Sequence, residues 1–172
     1  MSVPIKGETP RNFIIPPSST MGFCVALIRI FLGIKLFVMG LTKWSWIFGR
    51  NKGSFAAFVN DLLHNGIPLV WYAPFLKNSV LNHLNVFTWL VVIGELVLGL
   101  MLMFGFCTRL ASFLAIIMLF NYLCASWGLG IAFQGLNQAL ILMAFICMIT
   151  GAGRILGIDF DNANKNNRSI LW

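Results

Sequence analysis

Three ionisable residues lie inside long apolar runs, and their types and spacing could support chemistry. Arg29 and Lys35 fall in the first run, and Glu95 falls in the second. A charge near the middle of a membrane-spanning helix costs about 2.5 to 3.5 kcal/mol on insertion scales, so each calls for a partner or a function. We therefore expect none of the three to face lipid. Together they form either a polar site for a head group or a proton, or a buried ion pair that holds two helices together.

Helical geometry predicts which neighbours share a face with these charges. One turn at a time, the face of Arg29 continues through Gly33, Leu36, Gly40 and Lys43. The face of Glu95 continues through Gly99, Leu102, Phe106 and Arg109. Glycines allow close approach of two helices, so we expect both faces to point into the protein.

Depth narrows the choice of partner for the acid. At a rise of about 1.5 Å per residue, Glu95 lies between Lys35 and Arg29 in height. Side chains lean toward the N-terminus of their own helix, which brings Lys35 and Glu95 together, while the long side chain of Arg29 could also reach. We therefore expect Glu95 to pair with one of these two bases, and both pairings stay open at this point.

The composition places the chain in a bilayer. Hydrophobic residues make up 59% of the 172 residues and charged residues only 10%. A soluble domain has roughly half apolar and a quarter charged residues, and could not bury this much apolar surface. The net charge of +7 comes from 12 basic and 5 acidic residues, with the basic residues spaced singly. That spacing suits membrane topology signals and argues against a nucleic-acid partner.

Four apolar runs are long enough to cross a membrane. Their predicted limits are about residues 21–41, 86–106, 110–127 and 132–150. Very short links join the last three runs, which favours antiparallel neighbours in an all-α, up-and-down four-helix membrane bundle. The bundle would occupy residues 21–151, with a polar N-terminal tail over 1–20 and a polar C-terminal tail over 152–172.

The long connection between the first two spans carries a pattern of its own. In residues 53–66 the apolar positions follow a helical period, and they are Phe55, Phe58, Val59, Leu62 and Leu63. Asn65, Gly66 and Pro68 end the pattern. This segment is too short to span, so we expect an amphipathic helix that lies at the interface or folds onto the bundle.

Basic residues beside the spans predict the orientation. The side with both termini holds Lys6, Arg11, Arg109, Arg154, Lys165 and Arg168, and the opposite side holds Lys43, Arg50, Lys52 and Lys77. By the positive-inside rule, both termini are expected in the cytoplasm of a multi-pass protein of the cell (plasma) membrane. Six aromatic residues then lie toward the outer face, as an aromatic belt or as a mouth over a site. They are Trp44, Trp46, Trp71, Tyr72, Trp89 and Trp127.

Residues that usually bind metals or form disulfides are sparse. His64 and His83 both lie in the first connection, without a cluster of further ligands. The four cysteines form no CxxC pair. We therefore expect no metal and no haem.

Three segments carry a family resemblance. ALIRIFLGIKLFVMGLTKW at 26–44, GELVLGLMLMFGFCTRLAS at 94–112 and GAGRILGIDF at 151–160 resemble, in order and spacing, segments of the DoxX/DoxD family of small four-helix membrane proteins. The residues that match the motif are Arg29, Gly40, Lys43, Glu95, Thr108, Arg109, Gly153 and Arg154.

The resemblance implies a function. Family members are linked to thiosulfate:quinone oxidoreductase, so the chain would be a membrane subunit that helps to pass electrons from thiosulfate or another reduced sulfur compound to quinone. Arg29 or Lys35 would then polarise a quinone carbonyl, and Glu95 would relay a proton. The residues expected to line the quinone site are Lys43, Trp44, Trp46, Trp89, Asn121 and Gln138.

Two other functions remain open. The chain could be a non-catalytic structural or assembly subunit of a larger respiratory-type membrane complex, in which the internal charges only lock helices together. It could also be a small carrier of protons or a solute, acting as an oligomer. All three functions imply partners within the bilayer, either other membrane subunits or further copies of the chain.

Overall fold

The structure is a computed structural model that describes residues 20–48 and 54–159. Seven α-helices appear in this part of the chain: α1 (Thr20–Thr42), α2 (Ser45–Phe48), α3 (Ser54–His64), α4 (Ala73–Phe75), α5 (Leu84–Phe104), α6 (Thr108–Ala125) and α7 (Ile131–Thr150). A wide π-helical turn at Leu76–Val80 and a tight 3₁₀ turn at Leu81–His83 connect α4 to α5. The predicted positions Lys6, Arg11, Arg50, Lys52, Lys165 and Arg168 lie outside the described residues.

Four helical stretches are long and apolar enough to cross a membrane, which confirms the predicted all-α membrane fold. They are Thr20–Ile47, Ala73–Phe104, Thr108–Ala125 and Ile131–Thr150. The second begins well before the predicted residue 86, because the chain stays helical from Ala73 onward. Pro74 lies in the first turn of α4, where proline has no hydrogen bond to lose.

The helices run up and down in chain order. α1 packs most closely along α5, and α6 along α7, while α1 with α7 and α5 with α6 complete the ring. We call the end where α1 begins and α7 ends the proximal end, and the opposite end the distal end. The α5–α6 turn is proximal, and the α6–α7 turn is distal.

Two glycines allow α1 and α5 to touch through their backbones. A β-carbon on Gly99 would lie 2.6 Å from the Phe37 amide nitrogen, and one on Gly33 would lie 2.8 Å from the Gly99 carbonyl oxygen. Arg29 and Leu36, on the face of Gly33, are also buried. The inward face predicted for α1 is therefore confirmed. On α5 the predicted inward face is buried as far as Leu102. The helix ends at Phe104, so Phe106 does not continue this face and is exposed.

The amphipathic helix α3 folds onto the distal end of the bundle. Its buried residues are Phe55, Val59 and Leu62, which form a cluster with Tyr72, Leu76, Val80, Cys124 and Ala125. A second cluster, in the bundle itself, consists of Leu32, Leu36, Leu98, Leu102, Ala111, Ala115, Leu119, Leu140 and Ala144. At the distal end, a hydrophobic cluster therefore packs α3 against α6.

The chain after α7 folds back along the proximal end. Gly151–Asp159 is largely buried, although the predicted polar tail begins at residue 152. Its backbone pairs with the α5–α6 turn, since the Ile158 amide donates to Phe104 at 3.1 Å and the Asp159 amide to Gly105 at 3.0 Å. We call Gly151–Asp159 the C-terminal strap.

Candidate functional site

A buried carboxylate in α5 lies at the centre of the strongest polar cluster. The Glu95 side chain is 0% exposed, and its Oε1 accepts hydrogen bonds from Lys43 Nζ at 2.5 Å and from the Tyr122 hydroxyl at 2.6 Å. Lys43 also lies 3.4 Å from the Tyr122 hydroxyl and 4.7 Å from the centre of its ring. Residues from α5, α6 and the end of α1 thus meet at one carboxylate oxygen.

The partner expected for Glu95 was wrong. The sequence predicted Lys35 or Arg29, whereas the structure pairs the acid with Lys43. Lys43 follows the end of α1 on the same inward face as Arg29, and only 15% of its side chain is exposed. The depth argument considered only charges within the spans, and it left out a long side chain that reaches inward from the end of a helix.

The second oxygen of the same carboxylate is unsatisfied. Glu95 Oε2 is buried without a hydrogen-bond partner among the described residues. A buried acceptor without a donor costs about 1–3 kcal/mol, more when it is charged. The oxygen is therefore available to accept a hydrogen bond from a hydroxyl group, or to carry a proton.

A large apolar cavity lies beside this cluster. Its volume is about 910 Å³, and it lies between α5 and α6, with α3 and residues 72–80 closing its distal side. The lining is formed by Phe55, Phe58, Val59, Leu62, Tyr72, Phe75, Leu76, Val80, Phe87, Trp89, Leu90, Val91, Ile93, Gly94, Val97, Leu98, Met101, Leu110, Leu114, Ile117, Met118, Asn121, Tyr122 and Ala125. Tyr122 belongs both to the lining and to the Glu95 cluster, so it connects the two.

Two further polar side chains lie in the cavity wall. The Tyr72 hydroxyl donates to Asn121 Oδ1 at 2.7 Å, and Asn121 Nδ2 donates to the Ile117 carbonyl at 2.7 Å. Burial, with a smaller effect of Cys124, raises the pKa of Tyr72 to about 12. The Tyr72 hydroxyl therefore keeps its proton at neutral pH and remains a donor.

Arg29 belongs to a different cluster, at the proximal end. Its Nη1 donates to the carbonyls of Ala152 at 2.8 Å and Ile155 at 3.3 Å, and its Nη2 donates to Leu156 at 2.9 Å. Gly105, with a φ of 67°, packs directly against the guanidinium. Arg29 thus fixes the C-terminal strap to α1, and it does not line the cavity.

The strap also caps α6. Asp159 accepts hydrogen bonds from the amides of Cys107 and Thr108, both at 2.8 Å, and so satisfies donors at the start of α6. Gly153 packs against Thr108 Oγ1 and the Asp159 carboxylate, which leaves no room for a side chain. Gly151 lies next to Arg109, and Arg154 is buried in the strap. Arg29, Thr108, Arg109, Gly153 and Arg154 therefore form one proximal motif cluster.

The structure separates the remaining predicted site residues into two groups. Asn121 and Trp89 line the cavity. Trp46 packs in tilted contacts against two lining rings, with centroid distances of 5.5 Å to Phe55 and 5.3 Å to Phe58. Trp44, Lys35 and Gln138 are exposed and do not line the cavity. Lys35 lies on the outer face of α1, and Gln138 lies on the outer face of α7.

Sequence reasoning missed Tyr122 and Asp159, and it placed Tyr72 only among the aromatic residues toward the outer face. Tyr122 could have been found, because Ala115, Leu119 and Tyr122 follow one another on the inward stripe of α6. Tyr72 and Asp159 lie outside the regular periodic helices, where a sequence pattern gives no direction for the side chain.

The described part of the chain contains no candidate metal site and no disulfide. No group of three or more His, Cys, Asp or Glu side chains is close enough to hold a metal ion among residues 20–48 and 54–159. The four cysteines are free thiols.

Comparison with known proteins identifies the family. The DoxX family model matches residues 24–127, which is more than half of the chain. The match includes most of α1 and all of α2 to α6, with Lys43, Glu95 and the cavity. No curated protein and no solved structure matches the sequence. With its four apolar helices, this multi-pass membrane protein belongs to the DoxX family.

Proposed function

We propose that the protein is the membrane subunit of a quinone-linked oxidoreductase and that the cavity between α5 and α6 binds the quinone. The observation that carries the proposal is the buried Glu95 carboxylate, with one unsatisfied oxygen, joined through Tyr122 to an apolar cavity. Membership of the DoxX family supports a membrane protein of an oxidoreductase system.

The cavity suits a quinone in size and chemistry. Ligand sites typically measure about 300–1,000 Å³ and combine apolar walls with a few polar groups. Here a volume of about 910 Å³ is lined mainly by aliphatic and aromatic side chains, and polar groups come from Tyr72, Trp89, Asn121 and Tyr122. The ring and isoprenoid tail of a quinone would contact the apolar wall. One carbonyl oxygen would accept a hydrogen bond from the second amide hydrogen of Asn121, and the other from Tyr122 once its hydroxyl turns away from Glu95.

The Glu95 cluster would supply protons. Reduction of a quinone to a quinol takes two electrons and two protons, one proton for each carbonyl oxygen. Tyr122 would turn its hydroxyl from Glu95 toward the cavity, give its proton to the quinone and take a replacement proton from Glu95. Lys43, which is partly exposed, would then restore the proton on Glu95 from the distal side. Lys43 also keeps the carboxylate from being an uncompensated buried charge.

The electrons would come from thiosulfate or another reduced sulfur compound, directly or through a partner subunit. Two thiosulfate ions that join through a new S–S bond release two electrons, which balances one quinone. Basic residues of the first connection, Arg50 and Lys52, would attract the anion, although both lie outside the described residues. In the same proposal the protein lies in the cell membrane with both termini in the cytoplasm.

A substitution that fills the cavity gives a sharp test. A β-carbon on Gly94 would meet Met118 Sδ at 3.7 Å, an ordinary contact, so Gly94→Leu would extend into the cavity without moving the backbone. Gly135→Leu on α7 is the matched control, because its β-carbon would meet nothing within 4 Å. In purified membranes that contain the complete complex, we expect Gly94→Leu to abolish reduction of a quinone analogue by thiosulfate and Gly135→Leu to retain it.

The proton relay needs its own variants in the same assay. We expect Glu95→Gln and Tyr122→Phe to lower the rate at least about tenfold, since a missing proton-transfer group commonly costs 10²–10⁴-fold. Asp61→Asn, at an exposed acid of α3, should leave the rate unchanged. Full activity in Glu95→Gln and Tyr122→Phe would contradict the relay, and full activity in Gly94→Leu would contradict the quinone site.

One observation favours an assembly role for the proximal end. Within the described part of the chain, Arg29 donates to three backbone carbonyls of the C-terminal strap, as a residue that holds two segments together would. If Gly94→Leu and Glu95→Gln retain the reaction while Arg29→Met loses partner subunits on purification, the protein is an assembly subunit.

A further inference from the structure

Lys35 is a lysine on the outer surface of a membrane-spanning helix. It is exposed on α1 in a stripe of apolar residues that are 43–49% exposed, namely Leu27, Phe31, Ile34 and Val38. We call these four residues and Lys35 the outer face of α1. A lysine that faces lipid near the middle of a helix costs about 2.5–3.5 kcal/mol on insertion scales. We therefore expect a negatively charged group, from a lipid or from a protein, to lie against Lys35 and compensate its charge.

Lipid head groups are poorly placed to supply this negative charge. Lys35 lies seven residues before the distal end of α1 at Thr42, which is about 10 Å at 1.5 Å per residue. Its ammonium group lies over the ring of Phe31, at 5.7 Å, one turn nearer the proximal end. The side chain thus points toward the middle of the helix and away from the nearer membrane surface, opposite to the direction in which a lysine snorkels.

A second copy of the chain does not supply the missing negative charge either. The sequence has five acids: Glu8, Asp61, Glu95, Asp159 and Asp161. Glu95 is buried with Lys43, Asp159 is buried as the cap of α6, and Asp61 lies on α3, outside the spans. Glu8 and Asp161 lie outside the four apolar spans and outside the described residues. Among residues 20–48 and 54–159, no acid lies on the outer surface of a span.

From this charge balance we propose that the outer face of α1 binds a membrane-spanning helix of a different protein, which carries an Asp or Glu at the depth of Lys35. The apolar residues on either side of Lys35 would pack against that helix, and the ion pair would fix its register and orientation. The proposal rests on the outer surface of α1 alone and does not depend on the quinone site.

The experiment is photo-crosslinking in the native membrane, with benzoylphenylalanine in place of Val38 and, as a control, in place of Leu142 on the outer face of α7. We expect the Val38 probe to crosslink a protein whose membrane span contains an acid. Lys35→Met should lower that yield at least about tenfold, as should Asn or Gln in place of the partner's acid, whereas Lys35→Arg should retain it. The Leu142 probe should not crosslink the same protein.

A charge exchange completes the test. Lys35→Asp alone should lose the crosslink, and Lys35→Asp together with Lys at the partner's acidic position should restore it. The proposal is overturned if the Val38 probe crosslinks only lipid or only a second copy of this chain. It is also overturned if Lys35→Met leaves the yield unchanged or if the crosslinked spans contain no acid. Quinone reduction by Gly94→Leu and Gly135→Leu gives a separate readout, so the failure of either proposal can be recognised independently.

Discussion

Lys43, at the end of α1, donates a hydrogen bond of 2.5 Å to Glu95, near the middle of α5. The pair closes the distal half of the α1–α5 interface, whose backbones touch at Gly33 and Gly99. Tyr122 brings α6 to the same carboxylate oxygen and also lines the cavity. One ion pair therefore links helix packing to the proposed ligand site.

Replacing Lys43 and replacing Glu95 should lower the stability of the protein by different amounts. Lys43→Met leaves the fully buried Glu95 without its base, and loss of one partner of a buried pair costs about 3–5 kcal/mol. Glu95→Gln leaves Lys43, which is 15% exposed and can turn toward water, so we expect a smaller loss of about 1–2 kcal/mol. Unfolding by SDS in mixed micelles, monitored by circular dichroism, measures the free energy of unfolding of both variants.

The double variant Lys43→Met with Glu95→Gln shows whether the two residues act as a pair. We expect it to be more stable than the sum of the single losses by at least about 1 kcal/mol, because the second substitution removes a charge that the first left unpaired. Additive losses would show that the residues stabilise the protein independently. Asp61→Asn, at an exposed acid bonded to Asn65, should change stability by less than about 0.5 kcal/mol.

The glycine contact between α1 and α5 predicts a contrast between two alanine variants. Gly99→Ala places a β-carbon 2.6 Å from the Phe37 amide nitrogen, so the helices must separate, and we expect a loss of about 1–3 kcal/mol. Gly135→Ala meets nothing within 4 Å and should stabilise α7 by up to about 1 kcal/mol. Thermal unfolding in detergent measures the two variants, and equal effects would argue against close packing at Gly99.

Arg29→Lys should release the C-terminal strap although it preserves the charge. The guanidinium spans the carbonyls of Ala152 and Leu156 with separate nitrogens, whereas an ammonium group is a single point. We expect faster hydrogen exchange at the amides of Ile158 and Asp159, with the amides of α3 unchanged. Unchanged exchange in the strap would show that Arg29 does not hold it.

The thiol of Cys107, in the α5–α6 turn, should react slowly at neutral pH. Burial and, to a smaller degree, the carboxylate of Asp159 raise its pKa above the ordinary value of 9.0. A raised pKa means less thiolate, so alkylation by a maleimide should rise with pH and reach half its maximum above pH 9. Asp159→Asn removes a negative charge, which should lower this midpoint.

The same thiol reports on orientation. The test uses a Cys24→Ser background, because Cys24 is an exposed thiol near the same end of α1. With both termini in the cytoplasm, an impermeant maleimide should reach Cys107 in inside-out vesicles and not in intact cells, and adding Cys107→Ser should remove the signal. Labelling only from the outside would reverse the proposed orientation.

Periodicity predicted the helices and the inward faces well, because burial in a bundle imposes a regular pattern on the sequence. Gly33, Leu36 and Gly40 are buried on the expected stripe, and α3 buries Phe55, Val59 and Leu62 as its pattern predicts. The sequence also located Glu95 as the acid that must lie inside.

The contacts of the charged residues were harder to predict, since they depend on how long side chains and loops fold back. Lys43 reaches Glu95 from beyond the end of α1, and Arg29 binds carbonyls 123 or more positions later in the chain. Composition predicted a polar tail over 152–172 but not that Asp159, within it, caps α6. Such contacts carry no local pattern, because they form only once the helices are packed.

The central claim is that a quinone occupies the cavity between α5 and α6, and photolabelling of the purified protein with an azidoquinone tests it most directly. We expect label on cavity-lining residues of both helices, such as Gly94 and Met118, with loss of this label under excess unlabelled quinone and in Gly94→Leu. Label spread equally over the outer face of α7, at Leu142 and Phe145, that excess quinone does not reduce would contradict the claim.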